Sequence, residues 1–163
     1  MELSTSTSGS QATKRAWGDF LSDLGPWDWW ATLTFRDRTD EQIRNGWTKV
    51  GSGYSASAWK AFIKALNKSL SHKVAFVNAR EYQKWRGVPH YHALIRGVGD
   101  ARRLDWMDWW WERYGMARIK PYDAEKGAGW YISKYVAKEL GEINFSQGLT
   151  NAATCVSIET GDT

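Results

Sequence analysis

Residues 74–96 read VAFVNAREYQKWRGVPHYHALIR, and this stretch decides the fold. Apolar, β-branched and aromatic residues are concentrated in two runs, Val74–Tyr82 and Pro89–Arg96, which are typical of strands. The residues between the runs include turn formers around Gly87, so the sequence predicts a β-hairpin.

The segments on either side of the hairpin predict an α+β domain built on an antiparallel sheet. Residues 30–35, WATLTF, alternate with a period of two and predict a half-buried strand. Apolar residues recur at helical spacing over 57–70 and 104–114, which predicts an amphipathic helix in each. We expect a short strand over 117–122 and a last helix over 128–140. The order β-α-β-β-α-β-α favours helices on one face of the sheet and a second face open to a ligand.

Three segments are expected along the chain. Residues 1–14 are rich in Ser and Thr without apolar periodicity, which predicts a flexible leader. Residues 15–141 form the predicted domain, in which the polar, Gly-rich segment 36–55 is expected to be a loop. Residues 142–163 contain no Lys or Arg and are expected to form a loosely ordered tail.

The composition excludes several classes of protein. Of the 163 residues, 42% are hydrophobic and 25% are charged, which suits one globular domain and excludes a disordered chain. No apolar run is long enough for a membrane span, and the N-terminus lacks the apolar segment of a secretory signal. We therefore expect a soluble, intracellular protein. The single cysteine, Cys155, excludes a disulfide framework and a cysteine-based zinc site.

The chain is rich in tryptophan, with 12 residues, and its positive charge is concentrated in the centre. Residues 56–100 carry eight Lys or Arg against two Asp or Glu, whereas each flanking segment has a slight acidic excess. Cations that pair with phosphates and rings that stack on bases suit single-stranded nucleic acid. A domain with tryptophans in its core and a solvated basic helix would have the same composition. The candidate DNA contacts are Lys60, Lys64, Lys68, Trp85 and Arg86.

The second strand of the hairpin carries candidate metal ligands. His90 and His92 are two residues apart, so both imidazoles are expected on one face, where they can bind one metal ion. Glu81, near the end of the partner strand, is a candidate third ligand. Two imidazoles and a carboxylate that leave positions open for water and phosphate suit Mg²⁺ or Mn²⁺. Alternatively, the histidines are solvated surface groups and Glu81 pairs with Arg80 or Lys84.

The last predicted helix presents tyrosines and lysines along one face. Tyr131, Lys134, Tyr135 and Lys138 occur at i, i+3, i+4 and i+7. A phenol is a weak nucleophile, and a neighbouring cation or metal ion favours the more reactive phenolate. These four residues are therefore candidate catalytic groups. Aromatic packing, with lysine side chains lying along the helix surface, would produce the same pattern.

In combination, these motifs resemble those of the HUH endonucleases, the Rep proteins that initiate rolling-circle replication of small circular single-stranded DNA viruses, phages and plasmids. The matching motifs lie within about residues 29–139: Leu33-Thr34-Phe35, His90-Tyr91-His92 and Tyr131-Ile-Ser-Lys134-Tyr135. The resemblance implies an RRM-like antiparallel sheet of about five strands flanked by helices. It also implies a divalent metal ion, Mn²⁺ or Mg²⁺, on His90, His92 and Glu81. A tyrosine would then attack single-stranded or hairpin origin DNA, leaving a 5′-phosphotyrosine link and a free 3′-OH.

The resemblance leaves the nucleophile and some partners open. Tyr131 and Tyr135 both match the Tyr-x-x-Lys pattern; we favour Tyr131 and keep Tyr135 as a second nucleophile. No Walker-type GxxxxGK[ST] is present, so either a host helicase acts beside the host polymerase or the chain is an excised domain. The resemblance implies the cytoplasm of a bacterial host, or the nucleus if the source is a eukaryotic virus. The alternatives are a single-tyrosine transposase and a non-catalytic single-stranded DNA-binding domain.

Overall fold

The computed structural model describes residues 6–46, 50–128, 130–131 and 142–149. Its strands are β1 Trp29–Thr34, β2 Ala75–Tyr82, β3 Pro89–Arg96, β4 Ala117–Pro121 and β5 Glu142–Phe145. They form one sheet in the order β4-β1-β3-β2-β5, and every neighbouring pair is antiparallel. The predicted α+β fold with a five-stranded antiparallel sheet and flanking helices is therefore confirmed.

The helices of the described chain are α1 Ser6–Asp23, α2 Asp40–Arg44, α3 Ser52–Leu70 and α4 Arg103–Arg113. Helices α3 and α4 correspond to the two predicted amphipathic helices, although α3 begins five residues earlier than expected. Of the predicted helix over 128–140, residues 128, 130 and 131 are helical, and the rest lies outside the described residues. No helix in the described part of the chain is both long and apolar enough to cross a membrane.

The larger core lies between one face of the sheet and the helices α3 and α4. Alternate residues of β1 and β3, such as Leu33 and Tyr91, point into it and are buried. Phe62 of α3 and Trp110 of α4 meet there with their ring centroids 5.8 Å apart. Because each large apolar side chain contributes about 1.5–3 kcal/mol on burial, this layer supplies much of the stability.

The opposite face of the sheet is only partly open, which corrects the expectation of a free face. Helix α1 packs on one part of it, where Leu21 joins Val77 of β2 and Leu94 of β3 in a second core. His90 and His92 lie on the same face as Leu94, because strand residues two apart point to the same side. The open part of this face therefore carries the two histidines.

Three elements lie in segments for which the sequence analysis predicted no regular structure. Helix α1 begins within the Ser- and Thr-rich leader, and its apolar residues occur only in its second half. Helix α2 lies in the predicted loop, where Thr39 and Gln42 form a capping box. Strand β5 lies at the start of the predicted tail and pairs with β2. Each was missed because a short or half-polar element gives little apolar periodicity.

Candidate metal centre and adjoining cavity

The register of the β2–β3 hairpin brings the three candidate metal ligands together. Glu81 is paired directly with His90, while His92 lies one position along on the same face. The Nε2 atom of His90 is 3.3 Å from Glu81 Oε2, and the Nε2 atom of His92 is 3.8 Å from the same oxygen. One possible ligand atom from each residue lies within 4.8 Å of the other two.

This donor set fits a divalent metal ion. Two imidazole nitrogens and a carboxylate oxygen leave further coordination positions for water and phosphate oxygen. The side chains of Glu81, His90 and His92 are 24%, 13% and 9% exposed, so the cluster is shielded but still reaches the surface. Partial burial strengthens electrostatic interactions with a bound cation, while access from solvent leaves room for a substrate.

Residues of β1 hold the imidazole of His92 from its other side. Thr32 is paired with His92 across the sheet, and Thr32 Oγ1 lies 3.3 Å from His92 Nδ1. When Nδ1 carries the ring proton it donates to Thr32, which leaves the Nε2 lone pair directed towards Glu81. The indole of Trp30 stacks on the imidazole, with centroids 5.6 Å apart and planes 16° apart. These two contacts fix the orientation of a candidate metal ligand.

Tyr131 also packs against Trp30, with ring centroids 4.9 Å apart. Its side chain is 5% exposed, and its hydroxyl oxygen accepts a hydrogen bond from the backbone N–H of Asp123, at 3.1 Å. A backbone donor at this position favours a phenolate, because it interacts most strongly with the charged form. The neighbouring Tyr122 differs: burial, reinforced by the nearby Tyr131, raises the pKa of the Tyr122 phenol and favours its neutral form.

A cavity of about 610 Å³ connects these groups. His92 and Tyr131 both line it, so a candidate metal ligand and a candidate nucleophile open into the same space. Arg118 and Lys120 of β4 line its outer side, opposite Thr32 and Trp30 of β1, respectively. The cavity therefore has the cations that a phosphate-bearing substrate requires.

The sequence analysis did not single out several residues that shape this site. The alternation in WATLTF placed Thr32 on the correct face, but nothing local showed that this face belonged to His92. Arg118 and Lys120 likewise alternate with buried residues of β4. Their position beside β1 depends on the order of the strands, which the motifs do not reveal.

The structure separates the predicted DNA contacts of α3 from this cavity. Lys60, Lys64 and Lys68 are exposed on the solvent side of α3, which packs on the opposite face of the sheet. A strand of DNA in the cavity could not reach them without passing around the sheet. Their role in DNA binding stays a prediction.

Two further predicted contacts lie in the turn between β2 and β3. Trp85 is 98% exposed, and Arg86 forms an ion pair with Asp37 at 2.7 Å. This turn follows the end of β2 that carries Glu81, so it lies on the metal-ligand side of the hairpin. The DNA contacts assigned to Trp85 and Arg86 also stay predictions. Three predicted catalytic residues lie outside the described residues: Lys134, Tyr135 and Lys138.

Comparison with known protein families identifies the biological process. Residues 28–140, well over half of the chain, match the ORF2-type family of replication-associated proteins. The chain belongs to this family. Membership assigns the protein to DNA replication and supports the Rep-like part of the resemblance. No curated protein and no solved structure gives a significant match.

Proposed function

We propose that this replication-associated protein is a metal-dependent HUH endonuclease that nicks and rejoins single-stranded origin DNA to initiate rolling-circle replication. The observation that carries the proposal is the convergence of His90 Nε2 and His92 Nε2 on one oxygen of Glu81, beside a cavity lined by Tyr131. The match to a replication-associated family supports DNA as the substrate.

The three clustered side chains are the proposed metal ligands. Glu81, His90 and His92 would hold Mn²⁺ or Mg²⁺, which when bound polarises the scissile phosphate and offsets its developing negative charge. Thr32 and Trp30 keep the imidazole of His92 in its binding orientation, so the site is arranged before the substrate arrives.

Tyr131 is the proposed nucleophile. Its phenolic oxygen forms a bond to phosphorus while the bond from phosphorus to the 3′ oxygen of the preceding nucleotide breaks. The phenolic proton passes to solvent, and the departing 3′ oxygen takes up a proton to become a 3′-OH. The Asp123 N–H stabilises negative charge on the phenolic oxygen before attack. The reverse reaction, in which a 3′-OH attacks the phosphotyrosine, joins the strand and restores Tyr131.

The remaining groups of the proposal come from the resemblance. Tyr135 serves as the second nucleophile, and Lys134 and Lys138 stabilise the phenolates or the phosphate. A hairpin in the origin presents the scissile strand, and a host helicase and polymerase use the free 3′-OH.

A covalent-adduct assay tests the proposal. The full chain is incubated with hairpin-containing single-stranded oligonucleotides and Mn²⁺, and the products are separated on a denaturing gel. We expect an adduct that disappears with EDTA and with Tyr131→Phe. The matched control is Tyr54→Phe, which makes the same change on α3 at the opposite face of the sheet and should retain the adduct.

Two results would contradict parts of this account. An adduct that persists in Tyr131→Phe removes Tyr131 as the nucleophile. Salt-sensitive DNA binding that EDTA does not change, without an adduct on any oligonucleotide, favours a non-catalytic binding domain instead.

A further inference from the structure

A second cavity adjoins the first, next to α1. It has a volume of about 410 Å³, and Lys14 and Arg15 of α1 line it. Lys126 and Trp130 line both cavities, so the two spaces meet at these side chains. Together the cavities extend from His92 on the sheet to the surface of α1, beyond the groups that the proposed reaction uses.

Positively charged side chains predominate along these cavities. The cations are Lys14, Arg15, Arg118, Lys120 and Lys126. Three carboxylates line the same surface, and one of them, on Asp123, already forms an ion pair with Lys126 at 3.4 Å. No described residue forms an ion pair with Arg118 or Lys120, and both are exposed. This excess of cations suits a ligand with several negative charges.

An exposed indole lies where the two cavities meet. Trp130 is 56% exposed and packs edge-on against Tyr131, with ring centroids 4.9 Å apart. The ammonium group of Lys126 lies 5.1 Å from the Trp130 ring centroid. An exposed ring between cationic cavities is the combination on which unpaired bases stack while their phosphates are neutralised.

We propose that the two cavities form one path for the unpaired nucleotides that adjoin the scissile phosphate. Phosphates lie against Arg118 and Lys120, a base stacks on Trp130, and the strand continues to Lys14 and Arg15. The inference rests on the proposed function, since it places DNA in the cavity that Tyr131 lines. It also gives α1 a role in binding the substrate.

The salt dependence of DNA binding tests the electrostatic part. Affinity for a labelled single-stranded oligonucleotide is measured by fluorescence anisotropy in EDTA, so that no cleavage occurs. Each lost phosphate contact should reduce the slope of log K against log salt by about 0.7. Arg118→Gln with Lys120→Gln should therefore reduce it by about 1.4. The control, Lys73→Gln with Arg102→Gln, removes the same charge from exposed positions outside both cavities and should leave the slope unchanged.

Two further variants test the rest of the path. Lys14→Gln with Arg15→Gln should also reduce the slope by about 1.4, if α1 contacts phosphates. Trp130→Ala should lower the affinity at least about fivefold without changing the slope, because stacking releases no counterions. Trp111→Ala is its control, since Trp111 lies on α4 with a matching exposure of 55%. Circular dichroism verifies that each variant folds.

The outcomes separate this inference from the proposed function. If the cavity variants keep the slope and affinity of their controls, the path is wrong, whether or not an adduct forms. If the slopes fall as expected but no oligonucleotide gives an adduct, the path stands as a binding surface and the proposed reaction fails. Absence of any binding to single-stranded DNA overturns both.

Discussion

Replacing Thr32 with valine tests whether β1 prepares the metal centre. The change substitutes a methyl group for the hydroxyl and keeps the β-branched shape that suits a strand, so the sheet should be preserved. The side-chain hydrogen bond that it removes joins Thr32 Oγ1 and His92 Nδ1, at 3.3 Å. Without this partner the imidazole loses its preferred tautomer and part of its orientation.

The expected magnitude follows from the geometry. Removing a hydrogen-bond partner of a metal-binding histidine typically lowers metal affinity 10–100-fold, or about 1.4–2.8 kcal/mol. The distance of 3.3 Å is at the long end for a hydrogen bond, and Trp30 still stacks on the ring of His92. We therefore expect a loss near the lower end, about tenfold.

Isothermal titration with Mn²⁺ measures this effect. The control is Thr34→Val, the same change two residues along β1, where the hydroxyl donates to the backbone oxygen of Met116 at 3.0 Å. Its metal affinity should equal that of the unmodified protein. If Thr32→Val also binds Mn²⁺ as the unmodified protein does, Thr32 does not position His92. If His92→Ala leaves Mn²⁺ binding intact as well, the metal centre lies elsewhere.

Three further predictions concern stability and charge. Gly115→Ala should lower the free energy of unfolding by about 2 kcal/mol and Tm by about 4–8 °C, because the new Cβ would lie 2.8 Å from Arg36 N and 2.9 Å from the carbonyl carbon of Phe35; an unchanged Tm in a thermal scan would refute the close approach. Burial raises the pKa of Tyr114, with Tyr54 adding to the rise, so the folded state favours the neutral phenol and loses stability as pH rises above about 10. Tyr114→Phe should lose less stability than the unmodified chain between pH 8 and pH 11 in urea unfolding, and equal losses would contradict this. Changing the three α3 lysines to glutamine should reduce the salt slope of DNA binding less per charge than changing the β4 cations, and an equal reduction per charge would place DNA on both faces.

The elements with long apolar patterns could be predicted from the sequence. Helix α3 and the hairpin follow from local periodicity, and a hairpin turn fixes which residues face each other across two strands. The proximity of Glu81 to His90 could therefore be predicted without knowledge of the rest of the fold.

Features that depend on distant pairing could not be predicted in this way. Thr32 reaches His92 only because β1 lies beside β3, although 60 residues separate the two in the sequence. Arg118 enters the site because β4 pairs with the other edge of β1. Helix α1 is stabilised by packing on the sheet, since Leu21 is buried against residues of β2 and β3 rather than within the helix itself.

Mass spectrometry of the protein–DNA adduct tests the central claim most directly. Trypsin cleaves after Lys126, Lys134 and Lys138, so Tyr131 and Tyr135 fall in separate peptides, 127–134 and 135–138. After the DNA is digested, we expect a nucleotide attached through phosphate to Tyr131 in peptide 127–134, and none when EDTA is present. A nucleotide found only on peptide 135–138 would contradict the assignment of the nucleophile. Absence of a nucleotide from both peptides, with the cognate origin DNA and Mn²⁺ supplied, would contradict tyrosine-mediated cleavage altogether.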